Sequence, residues 1–290
     1  MEPIVISASR RTDIPAFHAR WFFKRLEEDF AEYRNPFNGK IHRLSLAPED
    51  VRAFVFWTRN PAPLMADFGR LEVRGTPFYF LYTINAYPPE LERSNPSLDR
   101  VADTFRGLSG RIGPERVRWR YDPIVLTRET DFDFHKYNFE KIARCLEGAA
   151  EVCIFSFMDL YGKVRRNMAP LPHRFQPLEA GFADRRALVS ELAGIGGRYG
   201  IRLLACCEDD LTGAVGGKAR CVDPELIGQL APSAGKLSLR PSREECGCAA
   251  SRDIGGYDIC PHGCVYCYAN ASPEAAARRY RRSDPALPMI

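Results

Sequence analysis

Short apolar runs recur along the chain, and the stretches between them carry helical periodicity. Residues 4–7, 53–57, 78–83, 116–121, 152–157 and 201–205 are rich in Val, Ile, Phe, Tyr or Leu and are predicted to be strands. Between them, residues 18–30, 97–108, 134–146 and 183–199 are predicted to be helices. Such alternation builds parallel βαβ units. Six of them suit an α/β fold of the partial TIM-like (β/α)6 barrel type, with an open doubly wound sheet as the other solution.

Polar residues follow every predicted strand. They are Ala8-Ser9-Arg10-Arg11-Thr12-Asp13, Thr58-Arg59-Asn60-Pro61, Ile84-Asn85, Asp122-Pro123, Met158-Asp159 and Cys206-Cys207-Glu208-Asp209. In parallel α/β folds the carboxyl ends of strands converge on the ligand site, so these loops are the expected rim. Arg10, Arg11, Asp13, Asn60, Arg120, Asp122, Asp159 and Glu208 are the candidate groups for holding a cofactor or substrate there. Guanidinium forks suit a carboxylate or phosphate. The competing reading is structural: Asp and Asn cap helices, Asp13 pairs with Arg10 or Arg11, and Asp122 stabilises a turn before Pro123.

Composition narrows the class without naming a function. The 290 residues are 45% hydrophobic and 27% charged, which excludes a disordered or low-complexity chain. A formal charge of +4 does not by itself indicate a nucleic-acid or membrane partner. No apolar run reaches the roughly 18 residues of a membrane span, and Met1-Glu2-Pro3 leads straight into a strand rather than a signal sequence. The expected compartment is the reducing cytoplasm, where clustered cysteines serve as metal ligands or reactive thiols. All cysteines except Cys145 and Cys153 fall within residues 206–267, where the composition also turns to glycine and loops. Two regions are therefore expected: a βα partial barrel over 1–206 and a Cys-rich cluster-binding region over 207–290, packed on the barrel.

Cys260-Pro261-His262-Gly263-Cys264-Val265-Tyr266-Cys267 has the spacing C-x3-C-x2-C. Three thiolates in one short loop suit an iron–sulfur cube, normally held by four, and leave one iron for another ligand. Zinc is the chemical rival, since thiolates also build closed tetrahedral sites. The odd ligand number, the spacing and the flanking aromatic Tyr266 favour iron. Gly263 would let the backbone approach the cluster, and Tyr266 would shield one face from water.

The loop resembles the cluster motif of the radical S-adenosylmethionine enzymes. The chain as a whole is similar to an uncharacterised bacterial family, domain of unknown function 1848. The similarity runs from Ile6-Ser7-Ala8-Ser9-Arg10-Arg11-Thr12-Asp13-Ile14-Pro15 through Val55-Phe56-Trp57-Thr58-Arg59-Asn60-Pro61 and Trp119-Arg120-Tyr121-Asp122-Pro123 to Cys264-Val265-Tyr266-Cys267-Tyr268-Ala269-Asn270. The resemblance implies a 4Fe–4S cluster on Cys260, Cys264 and Cys267, with S-adenosylmethionine on the open iron. Its reductive cleavage would yield a 5'-deoxyadenosyl radical. A flavodoxin or ferredoxin would be the electron donor. Two departures stand out: the motif lies near the C-terminus rather than after the first strand, and the Gly-Gly pairs are followed by Arg198, Lys218 and Tyr257 instead of Glu.

Cys206, Cys221, Cys246 and Cys248 are candidates for a second, fully coordinated cluster, with Cys207 as a competing ligand. The similar family pattern also carries cysteines at these positions. The alternative is that some are buried free thiols, as expected for Cys145 and Cys153. If both clusters form, the +4 excess falls to about +1. His135, His173 and His262 are candidate proton-transfer groups, of which only His262 sits in the cluster loop. Arg278-Arg279-Tyr280-Arg281-Arg282 could meet a nucleic-acid backbone or form a solvated helix face. The substrate, small molecule or nucleic acid, is open. The runner-up is a non-catalytic iron–sulfur or zinc protein with a ligand-binding barrel.

Overall fold

A computed structural model describes residues 2–232, 235, 237–240 and 243–290. The strands are β1 (Ile4–Ser7), β2 (Phe30–Arg34), β3 (Ile41–Ser45), β4 (Val51–Thr58), β5 (Phe78–Thr83), β6 (Val117–Ile124), β7 (Val152–Phe157), β8 (Arg202–Ala205) and β9 (Ser251–Asp253). The longer helices are α1 (Ile14–Phe17), α2 (Ala19–Glu27), α3 (Ala62–Met65), α4 (Phe68–Val73), α5 (Leu98–Ile112), α6 (Phe132–Cys145), α7 (Gly162–Met168), α8 (Phe182–Arg198), α9 (Pro224–Leu230) and α10 (Pro273–Tyr280). Seven strands form one sheet in the order β8-β7-β6-β5-β4-β1-β9, and every neighbouring pair is parallel. The α/β class with a parallel sheet follows directly from the apolar periodicity.

The six expected strands are present, but the sheet gains a seventh. β9 comes from the Cys-rich region, so the stretch after residue 206 shares a sheet with the first strand. Its Ser-Arg-Asp sequence has no apolar signature. β2 and β3 pair as a separate antiparallel hairpin, which takes Phe30 out of the expected helix. β6 runs past Tyr121 through Asp122-Pro123 and pairs again at Ile124 after an irregularity in register.

Strand alternation splits the core between two faces. Phe54, Phe56, Phe78, Phe80, Tyr82 and Trp119 pack under the helices. Val5, Ala53, Val55, Tyr79, Leu81 and Ile154 point the other way and pack against Cys206, Cys221, Leu226, Ile227 and Cys248. Each buried aromatic or aliphatic side chain is worth about 1.5–3 kcal/mol relative to exposure. The Cys-rich stretch thus fills the second face of the sheet. It is tied to the β8 edge by Gly216 N–H to Leu203 O (2.8 Å) and Ala219 N–H to Ala205 O (2.7 Å), it supplies the other edge as β9, and Ala249 N–H to Val222 O (2.9 Å) joins two of its own segments. Among the described residues no helix is long and apolar enough to cross a membrane.

Candidate metal-binding site

The loop after β1 is organised by the neighbouring strand β9. Asp253 accepts from Ser7 Oγ (2.6 Å), Ser9 Oγ (2.6 Å), Arg10 N–H (2.8 Å) and Gly255 N–H (2.9 Å). Its carboxylate also lies 4.0 Å from Arg10 Nε and 3.8 Å from Arg11 Nε. Gly255 is held so close that a Cβ there would collide with Ser9 Oγ. Arg10 and Arg11 are therefore positioned by Asp253, and not by Asp13 as the structural reading of the sequence expected.

Asp13 has other work. One carboxylate oxygen caps α1 by accepting from Ala16 N–H (3.0 Å), and the other accepts from Arg59 N–H (2.7 Å) and His262 Nε2–H (2.8 Å). His262 is the histidine of the cysteine loop, so this contact ties the loop to the first strand. His262 Nδ1 is buried and has no hydrogen-bond partner among the described residues.

The cysteine loop lies over the carboxyl ends of β4 and β5. Glu92 and Cys264 form an antiparallel bridge, Val265 N–H donates to Leu91 O (3.1 Å), and Ser94 N–H donates to His262 O (3.1 Å). Beneath it Arg59 donates to Glu92 Oε1 (2.7 Å) and to Tyr266 Oη (2.7 Å). Glu92 further accepts from Asn85 Nδ2 (3.2 Å), Asn95 Nδ2 (2.7 Å) and the Tyr266 hydroxyl. Burial opposes the Arg59 charge, but Cys264, Glu92 and Tyr266 hold its pKa well above the ordinary value. Its charge draws the Cys264 and Cys267 thiols down, against the larger effect of their burial. A cavity of about 310 Å³ opens on the far side of this network, lined in part by Arg59, Asn85, Glu92, Asn95 and Lys141.

Cys260, Cys264 and Cys267 gather in this loop. Burial pushes all three thiols up, Cys264 to about 12, and each also feels the charge of a neighbouring loop cysteine or of Arg59. A bound metal would take the place of thiol protons here. Ala269 N–H donates to Cys267 Sγ (3.3 Å), and Asn270 Nδ2 holds the Cys260 carbonyl (2.8 Å). Gly263 has φ 76°, and a Cβ there would sit 3.2 Å from Arg93 Cβ. Soft donors, backbone N–H support and an unshielded buried environment fit an iron–sulfur cluster. None of the ten cysteines is in a disulfide. Among the described residues no three His, Cys, Asp or Glu side chains are arranged, as they stand, around a single metal ion.

The remaining rim candidates divide. Asn60 is spent locally, its Oδ1 accepting from Ala62 N–H at 3.3 Å ahead of α3. Arg120 pairs with Asp122, which also accepts from Ser156 Oγ; Arg120 and Asp122 both lie within β6, which runs beyond the expected strand end. Asp159 pairs with Arg243 (2.7 Å). Glu208 accepts from Phe157 N–H (2.8 Å) and pairs with Arg185 (3.2 Å), while burial raises its carboxyl pKa. Tyr268, next to Cys267, donates its hydroxyl to Arg10 O at 3.4 Å. His135 is buried in α6 between Tyr121 and Val125, His173 is exposed, and Arg278, Arg279, Arg281 and Arg282 are solvent-exposed. Cys153 is buried in β7, and Cys145 packs against the same core. Glu92 and Asn95 had no signal in the sequence, since they belong to no strand end or motif.

The sequence profile described as "Domain of unknown function (DUF1848)" matches residues 5–269. The chain belongs to this family. The DUF1848 match spans the β1 loop, the Arg59–Glu92 network and the cysteine loop, so the whole site falls within it. No curated protein matches the sequence. Among solved structures, a proposed sugar phosphate isomerase/epimerase from Anabaena variabilis aligns with TM-score 0.31 and 10% identity, covering 71% of this chain. The alignment spans about half, 54%, of that protein's length.

Proposed function

We propose that this DUF1848 protein is a radical S-adenosylmethionine-like enzyme, with a 4Fe–4S cluster on Cys260, Cys264 and Cys267 at the mouth of a partial TIM-like barrel. The observation that carries the reading is the gathering of three cysteines, Cys264 buried and Cys260 and Cys267 half-buried, none of them in a disulfide, in one loop at the carboxyl ends of parallel strands. When bound, the reduced cluster would supply the electron that breaks the sulfonium C5'–S bond, giving methionine and a 5'-deoxyadenosyl radical that takes hydrogen from the substrate.

The chain's own residues supply everything around that chemistry. Arg59 offsets thiolate charge, while Glu92, Asn85 and Asn95 hold Arg59 and Tyr266 in place. Tyr266 and Val265 are buried and exclude water from one side of the loop. Asp13 fixes His262 and with it the loop's height above β1. Arg10, after β1, and Arg120, within β6, are suited to an anionic group of the cosubstrate or substrate. The substrate class and the electron donor, a flavodoxin or ferredoxin, remain part of the proposal.

Anaerobically purified protein should contain iron and acid-labile sulfide, and its reduced electron paramagnetic resonance spectrum should shift when S-adenosylmethionine is added. The C260A variant should lose that signal. A colourless protein that contains only zinc, or a cluster signal indifferent to S-adenosylmethionine, would overturn the reading.

A further inference from the structure

Five more cysteines meet on the Cys-rich face of the sheet, well separated in sequence from the loop. Cys206 and Cys207 leave the end of β8, Cys221 follows the stretch bonded to that strand, and Cys246 and Cys248 precede β9. Cys206 Sγ lies 3.7 Å from Cys221 Sγ. Cys206, Cys221 and Cys248 are buried in one cluster of the core, and Cys207 and Cys246 pack against it. None of the five is in a disulfide.

The backbone prepares this group of thiols for a cation. Val222 N–H donates to Cys248 Sγ at 3.3 Å, the backbone support that ligating sulfurs receive in metal centres. A purely packing role explains one or two buried cysteines, but not five from separate stretches of the chain gathered in one cluster.

We propose that four of these five thiols bind a second thiolate-ligated metal centre, distinct from the cysteine loop. Its chemistry is soft and all-sulfur, which suits either a fully coordinated iron–sulfur cluster or one tetrahedral zinc ion. In a zinc site with Zn–S near 2.3 Å the sulfurs stand about 3.8 Å apart, the spacing already held by Cys206 and Cys221. In either form the centre joins the end of β8 to the segment before β9, locking the Cys-rich face across both sheet edges.

The test uses the full chain with the loop ligands removed, C260A/C264A/C267A, purified anaerobically. It should retain metal, with iron plus sulfide identifying a cluster and zinc alone identifying a single ion. The variant C206S/C221S/C248S should lose that metal and keep the loop cluster. In the wild-type protein, Cys221 and Cys248 should resist alkylation until a chelator is added. Because the loop variant lacks the first centre, its metal content is independent of any S-adenosylmethionine chemistry. The proposal is overturned by a folded loop variant without iron or zinc, by alkylation indifferent to the chelator, or by recovery of a Cys206–Cys221 disulfide from anaerobic protein.

Discussion

Asp13 accepts a 2.8 Å hydrogen bond from His262 Nε2, joining two loops separated by 249 positions in the chain. The same carboxylate accepts from the Ala16 and Arg59 backbone, so it serves the helix after β1, the loop after β4 and the cysteine loop together. Asp13→Ala would strand these donors, at about 1–3 kcal/mol for each that stays buried. A lowered melting temperature together with reduced iron per chain is expected, and Asp13→Asn should keep more of both. Unchanged iron content in a destabilised Asp13→Ala protein would show that the contact serves the fold alone.

Among the described residues Glu92 is the only carboxylate bonded to Arg59; Glu92 is buried and Arg59 nearly so. Glu92→Ala leaves the guanidinium without its partner, a change that costs about 3–5 kcal/mol for a buried pair. Tyr266→Phe removes a hydroxyl and keeps the ring, so a loss of about 0.5–1.5 kcal/mol is expected. Chemical denaturation of the two variants beside the wild type checks the order. Equal losses would contradict the ranking.

Cys145 and Cys153 provide the control for metal binding. Both belong to the core under the helices, away from either group of gathered thiols. Cys145→Ala and Cys153→Ala should leave iron and zinc content at the wild-type level, whereas Cys264→Ala should lower iron. Elemental analysis of the three proteins decides, and loss of metal from Cys153→Ala would contradict the assignment.

The strands and the cysteine loop were legible because each carries a local signal: apolar runs for β1, β5 and β7, and fixed spacing for Cys260, Cys264 and Cys267. β9 was not, because three polar residues gain strand structure only from pairing with β1. The partners of Asp13 were misread for the same reason. Nearby Arg10 and Arg11 looked like its counterions, yet they turn to Asp253, a residue far along the sequence. Glu92 was invisible because its role exists only once Arg59, Tyr266, Asn85 and Asn95 have been brought around it.

Burial lowers the His135 pKa from its ordinary 6.5 to about 4, against smaller opposing effects of the Val125 carbonyl and Asp131. The neutral ring accepts from the Tyr121 hydroxyl (2.8 Å) and donates to Val125 O (3.1 Å). Above pH 6.5 the folded and unfolded chains bind the same proton count at this residue. Below it the unfolded chain gains a proton that the folded one refuses. Stability should therefore fall as pH drops from 6.5 towards 4, by up to about 1.4 kcal/mol per pH unit. Melting temperatures at pH 7.5 and 5.5 should drop further for wild type than for His135→Gln. His18, shifted the same way by burial, would keep part of the slope in the variant. Identical slopes would contradict the role given to His135.

The most direct measurement is product formation. Reconstituted protein, reduced with dithionite under anaerobic conditions and supplied with S-adenosylmethionine, is expected to release 5'-deoxyadenosine and methionine, and Cys264→Ala is expected to release neither. An intact, reducible cluster on Cys260, Cys264 and Cys267 that forms no 5'-deoxyadenosine would contradict the radical S-adenosylmethionine reading.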